Sequence, residues 1–233
     1  MSKVAKASRI RRVTVGIVLI LAPLVALVGA LLGPQFTGGM EGELAFIAEN
    51  SNRWLLSNFL NLVGFLLFIP AILGTTHLFR HREVILGHLG AGLAVVGLYF
   101  HGAVIGYSLV GIPLVESGWE NTLAFSEQMY KHLAFTVILM PFLTFFLGLL
   151  LISVAIWRAQ AAPLWVPAAI VVGLVSNFAA PREVSPELML ALFLLSFGWL
   201  GVKILQMPST QWELAQGEQP RFSDTTVRQI GAS

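Results

Sequence analysis

Six long apolar runs, over residues 13–33, 54–76, 84–112, 133–157, 164–180 and 188–207, divide this chain, and no Asp, Glu, Lys or Arg falls in the central part of any of them. Each is near the ~20 residues that an α-helix needs to cross a hydrocarbon core. Their order predicts an all-α membrane protein, a six-transmembrane-helix bundle threaded as hairpins. Composition agrees: 56% hydrophobic residues, 11% charged residues and a mean hydropathy of +0.80 are incompatible with an ordinary soluble domain of 233 residues. The chain divides into a basic cytoplasmic N-terminus (1–12), the transmembrane domain (13–207) and a tail (208–233). The tail is rich in Gln, Ser, Thr, Gly and charge and predicts disorder or docking on a partner.

Orientation follows from where the cations fall. With the N-terminus inside, the inner segments are 1–12, 77–83, 158–163 and the tail; counting Lys203 at the inner end of the last run, they carry 11 Lys/Arg against 4 Asp/Glu. The outer loops 34–53, 113–132 and 181–187 carry 3 against 8. Basic segments resist transfer across the membrane, so the expectation is N-in and C-in in a bacterial inner membrane. The first run also follows a basic stretch and passes Val28-Gly29-Ala30, as a secretory signal does, but its apolar core exceeds the 7–15 residues of a signal h-region. It reads as an uncleaved signal anchor.

The net charge of +2 and pI near 9.2 trace to Lys3, Lys6, Arg9, Arg11 and Arg12, immediately before the first run. That placement points to anionic membrane lipid as a partner, and the chain carries no nucleic-acid-binding module. Cysteine is absent, which removes disulfides, thiolate metal sites, iron–sulfur clusters and Cys nucleophiles. No GxSxG, GxxxxGK[ST] or HExxH motif occurs, and no intramembrane carboxylate pair. No catalytic residue is assigned. The lack of central charges also argues against an ion- or proton-coupled carrier.

The polar residues inside the runs carry the remaining information. His101 lies centrally in Leu98-Tyr99-Phe100-His101-Gly102, where an imidazole faces protein rather than lipid. Its role is either a hydrogen bond that sets helix register or ligand contact, proton relay or haem ligation. Tyr107 lies further out, and Asn58 and Asn61 share one face of the second run at i, i+3. With His132, Ser176 and Asn177 they form a candidate polar outer vestibule, against the alternative of plain interhelical hydrogen bonding. A bis-His haem is disfavoured, because His101 and His132 differ in depth by roughly 16 Å at 1.5 Å per residue. No cofactor is expected.

His77, His81 and His88 are weak metal candidates. An HxxxH spacing occurs in membrane di-iron enzymes, but the further boxes are missing, and Arg80 and Arg82 interleave with these histidines as at a lipid headgroup surface. Outer-loop Glu116, Glu120 and Glu127 read as solvated. In the third run, Gly102 and Gly106 form a GxxxG pattern suited to close helix contact within the chain, with a second copy or with a membrane-protein partner. A short interfacial helix is expected near 41–50, and a helical lead-in to the fourth run over 122–131.

The basic N-terminus, the acidic first outer loop leading to Asn52-Arg53-Trp54, and the turn His77-Leu78-Phe79-Arg80-His81-Arg82 resemble a broad group of uncharacterised bacterial six-span integral membrane proteins. The resemblance implies the topology and no activity. Three functions are compatible with these residues: an accessory, assembly or scaffold component acting through helix contacts; a carrier or receptor for a lipophilic or weakly polar small molecule near Asn58, Asn61, His101 and Tyr107; and a lipid-modifying enzyme on the His77 side.

Overall fold

The computed structural model of the chain describes residues 3–33, 39–79, 83–117, 128, 139–181, 184–208 and 211–212, with backbone alone at 3–5, 39–40, 107, 114, 117 and 141. The described elements are all helical: α1 (Lys3–Leu32), α2 (Gly39–Glu49), α3 (Ser51–Thr75) followed by a 3-10 turn (Thr76–Phe79), α4 (Val84–Ser117), α5 (Met140–Arg158), α6 (Trp165–Ala179) and α7 (Ser185–Gln206). Four helical stretches are long and apolar enough to cross a membrane: Lys6–Leu32, Ser51–Phe79, Val84–Pro113 and Ser185–Gln206. The α5 and α6 helices are also apolar but shorter in their described parts. The 15 residues of α6 reach about 22 Å at 1.5 Å per residue, less than the ~30 Å hydrocarbon core.

Neighbouring helices run antiparallel, as short connections require. Between α1 and α3, Gly29 meets Asn61, Ala26 meets Gly64 and Val15 meets Gly74. Between α4 and α5 backbone also approaches backbone: a Cβ on Gly97 would lie 2.5 Å from the Phe145 backbone nitrogen, and one on Gly90 would lie 2.9 Å from the Gly148 carbonyl oxygen. Only glycine permits that approach, which brings the whole length of one helix into contact with the other. The seam is closed at its end by an ion pair, Arg158 Nε to Glu83 Oε1 at 3.0 Å. The expected GxxxG contact is displaced from its place in the sequence reading. Gly106 has nothing within 4 Å, and a Cβ on Gly102 would meet only Leu62 at 3.9 Å, because the seam lies on another face of α4.

The α6 and α7 helices pair through Trp165 and Trp199, whose ring centroids are 5.9 Å apart, and through Gly173 against Phe193. At the centre, the fully buried rings of Phe68, Phe193 and Phe197 pack edge to face and join α3 to α7. Each such aromatic pair contributes about 0.5–1.5 kcal/mol beyond area burial.

At the end of the bundle where the N-terminus lies, α1 starts well before the apolar run at 13, and its basic residues extend the helix. The Arg12 guanidinium donates to the Met207 carbonyl, satisfying an acceptor left free where α7 ends. Both chain ends therefore leave from one end of the bundle. The tail does not begin loose: Trp212 is 1% exposed, joins the main apolar core and packs edge-on against the His77 ring with centroids 5.1 Å apart. Tail composition predicted no packing from 208 onward. One large aromatic side chain suffices to dock its first turn, and 213–233 lie outside the described residues.

Candidate ligand-binding cavity

The α2 helix sets the far end of the bundle. Leu44 and Ile47, at i, i+3, are buried with Trp54 in a small apolar cluster that Phe46, Ile112 and Val115 complete. The Trp54 indole donates to the Ser108 carbonyl at 3.1 Å, tying α3 to α4 beneath it. Seating Ile47 also places Glu43, one helical turn earlier, over the gap between the helices.

That gap is a cavity of about 330 Å3, inside the ~300–1,000 Å3 range of small-molecule sites. Its apolar wall comes from Ala30, Phe65, Ile105, Phe142, Met189 and Leu190. Asn58, Asn61 and His101 all open onto it, so three residues named from sequence as candidate ligand contacts share one wall. Tyr107 lies on α4, but its side chain lies outside the described residues. Of the other vestibule residues, Asn177 lines the cavity, Ser176 is buried with its hydroxyl on the Gly173 carbonyl at 2.8 Å, and His132 is outside the described residues.

The His101 ring sits between two others, 4.1 Å from the Phe65 centroid and 5.8 Å from that of Phe142. Ring packing against α3 and α5 holds it on the wall. The expected register-setting hydrogen bond to a neighbouring helix is absent among the described residues, which leaves the ring nitrogens to the cavity.

The remaining polar groups share a pattern. Ser57 Oγ donates to the Gly29 carbonyl at 2.8 Å, Asn58 Nδ2 to Trp54 at 3.0 Å, Asn61 Nδ2 to Ser57 at 3.0 Å and Ser108 Oγ to Val104 at 3.1 Å. Each turns a hydrogen into backbone and its oxygen lone pairs away from it. Two carboxylates that the sequence did not single out join them on the lining, Glu43 from α2 and Glu187 from the first turn of α7. Burial pushes the Glu43 carboxyl above its ordinary value, since no cation among the described residues offsets the desolvation. One oxygen of Glu187 is buried with no hydrogen-bond partner among the described residues. Glu116, by contrast, is exposed, and Glu120 and Glu127 lie outside the described residues.

Two of the three histidines at the opposite end, His77 and His88, are described. His77 packs on Trp212, exposed His88 contacts the Val84 carbonyl of its own helix through Nδ1 at 2.8 Å, and His81 is outside the described residues. Among the described residues, no three His, Asp or Glu side chains converge as a metal site.

No protein family, curated protein or solved structure matches this chain.

Proposed function

We propose that this chain is a six-crossing bundle in a bacterial inner membrane, with both termini cytoplasmic, and that it acts as a receptor or carrier for a lipophilic or weakly polar small molecule held in the outer-end cavity. The observation that carries the reading is the convergence of Asn58, Asn61 and His101 on a largely apolar cavity of about 330 Å3. A pocket with an apolar wall and a few placed polar groups is the usual form of a small-molecule site. The antiparallel seams of α5 with α4 and of α6 with α7 support six crossings, since each short helix runs alongside a long one. Basic residues at the end shared by the two termini support an inward orientation for that end. Native mass spectrometry from nanodiscs, comparing the wild type with His101→Leu, tests the reading. A small molecule retained by the wild type and lost from the variant is expected, and equal retention refutes the site.

A second reading, an accessory or scaffold component, is favoured by α4. Only 24% of its apolar window is buried, against 39–44% for the other three long stretches, and Tyr99 on it is 75% exposed. A stable protein partner recovered in mild detergent and lost on Tyr99→Ala would support that role.

A further inference from the structure

We infer that the cavity selects an organic ammonium ion, a protonated amine attached to an apolar body; this rests on the cavity being a ligand site. The charge balance of the wall is one-sided among the described residues, with Glu43 and Glu187 on the lining and no Lys or Arg among the described lining residues. Among the described residues, Arg53 is committed elsewhere: its Nε donates to the Leu32 carbonyl at 2.8 Å and its guanidinium lies 5.4 Å from the Phe46 ring centroid.

Hydrogen-bond polarity points the same way. Asn58, only 8% exposed, spends an amide hydrogen on the Trp54 carbonyl and turns Oδ1 away from that bond, while the unpartnered Glu187 oxygen is a further acceptor. A wall that presents two carboxylates is matched by a ligand that brings hydrogens, and an ammonium brings up to three with a positive charge. The apolar part of the ligand is accommodated by Phe65, Phe142 and Leu190, and aromatic faces add cation–π attraction. A bare metal ion is a poorer match, because no three carboxylate or imidazole groups among the described residues converge on one point.

The experiment is calorimetric titration of the full chain in neutral phosphatidylcholine nanodiscs, corrected by empty discs, with three probes of similar size: 2-phenylethylammonium, 2-phenylethanol and phenylacetate. The ammonium should bind at least about tenfold tighter than the alcohol, a modest allowance for charge pairing in a partly solvated site, and phenylacetate more weakly still. In the Glu43→Gln/Glu187→Gln double variant the preference should vanish while alcohol binding persists, which also shows that the variant is folded. Alcohol or phenylacetate binding as tightly as the ammonium overturns the cation inference and leaves the cavity as a ligand site. Absence of saturable binding by all three probes overturns the ligand site and the inference with it.

Discussion

Replacing Gly97 by alanine adds one methyl group where the α4 and α5 backbones come close together in their seam. Its Cβ would lie 2.5 Å from the Phe145 backbone nitrogen and 2.6 Å from the Phe145 Cβ. Normal carbon contacts are about 3.5–4.0 Å, so the helices must separate by about 1 Å, and backbone cannot rotate out of the way as a side chain does. Overpacking of this kind costs about 1–3 kcal/mol. The higher helix propensity of alanine returns about 1 kcal/mol, leaving a net loss of about 0–2 kcal/mol. Gly92→Ala on the same helix is the matched control. Nothing lies within 4 Å of its added Cβ, so only the propensity gain remains. Thermal denaturation of both variants in one detergent should therefore separate them by about 2 kcal/mol, or several degrees in Tm. Equal melting of Gly97→Ala and Gly92→Ala would show that the glycine seam does not hold α4 to α5.

Glu43 gives the bundle a pH dependence. Its folded-state pKa is raised above the unfolded value by burial, so its protonated form favours folding. Stability is complete below the ordinary carboxylate value and falls as pH rises through the raised one. Glu43→Gln should flatten that part of the Tm profile, and an unchanged profile would count against a desolvated carboxylate; Glu187 and His101 on the same wall are present in both proteins, so the difference isolates Glu43. At the other end, Trp212→Ala removes a side chain only 1% exposed, a change worth about 3–5 kcal/mol in a core and limited here to the free energy of tail docking. Limited proteolysis should then cut after Met207 faster than in the wild type, while Tm moves little; equal cleavage rates would mean that the tail is not latched.

The parts of the fold legible in the sequence are those that lipid imposes directly. Length and exclusion of charge mark the long helices, and Asn58, Asn61 and His101 stand out because polar side chains in apolar runs need protein around them. The early start of α1 at Lys3 was hidden because lysine and arginine are good helix formers that hydropathy excludes from a span. Gly102 and Gly106 lie off the seam within the chain for a geometric reason. Gly90 and Gly97 are two turns apart on one face, whereas at about 100° per residue Gly102 and Gly106 fall roughly 120–160° round the helix from Gly90, away from α5. Glu43 and Glu187 could not be separated from solvated loop charges without the return of α2 over the bundle. The available signal was Leu44 and Ile47, an apolar pair that needs a seat and carries Glu43 with it. Trp212 is one of two aromatics, with Phe222, in a polar tail, and a contact made so far along the chain from its partner His77 leaves no local pattern.

The chain has no cysteine, so single cysteines report sidedness without background. In sealed vesicles of known orientation, Asn52→Cys and Pro163→Cys place a thiol at exposed positions in the first turn of α3 and between α5 and α6. A membrane-impermeant maleimide added from the outer face should label Asn52→Cys, beside the cavity end, and should label Pro163→Cys only after the membrane is opened. Labelling of Pro163→Cys from outside in sealed vesicles would mean that α5 and α6 do not cross, and the six-crossing bundle with an outward cavity would be wrong.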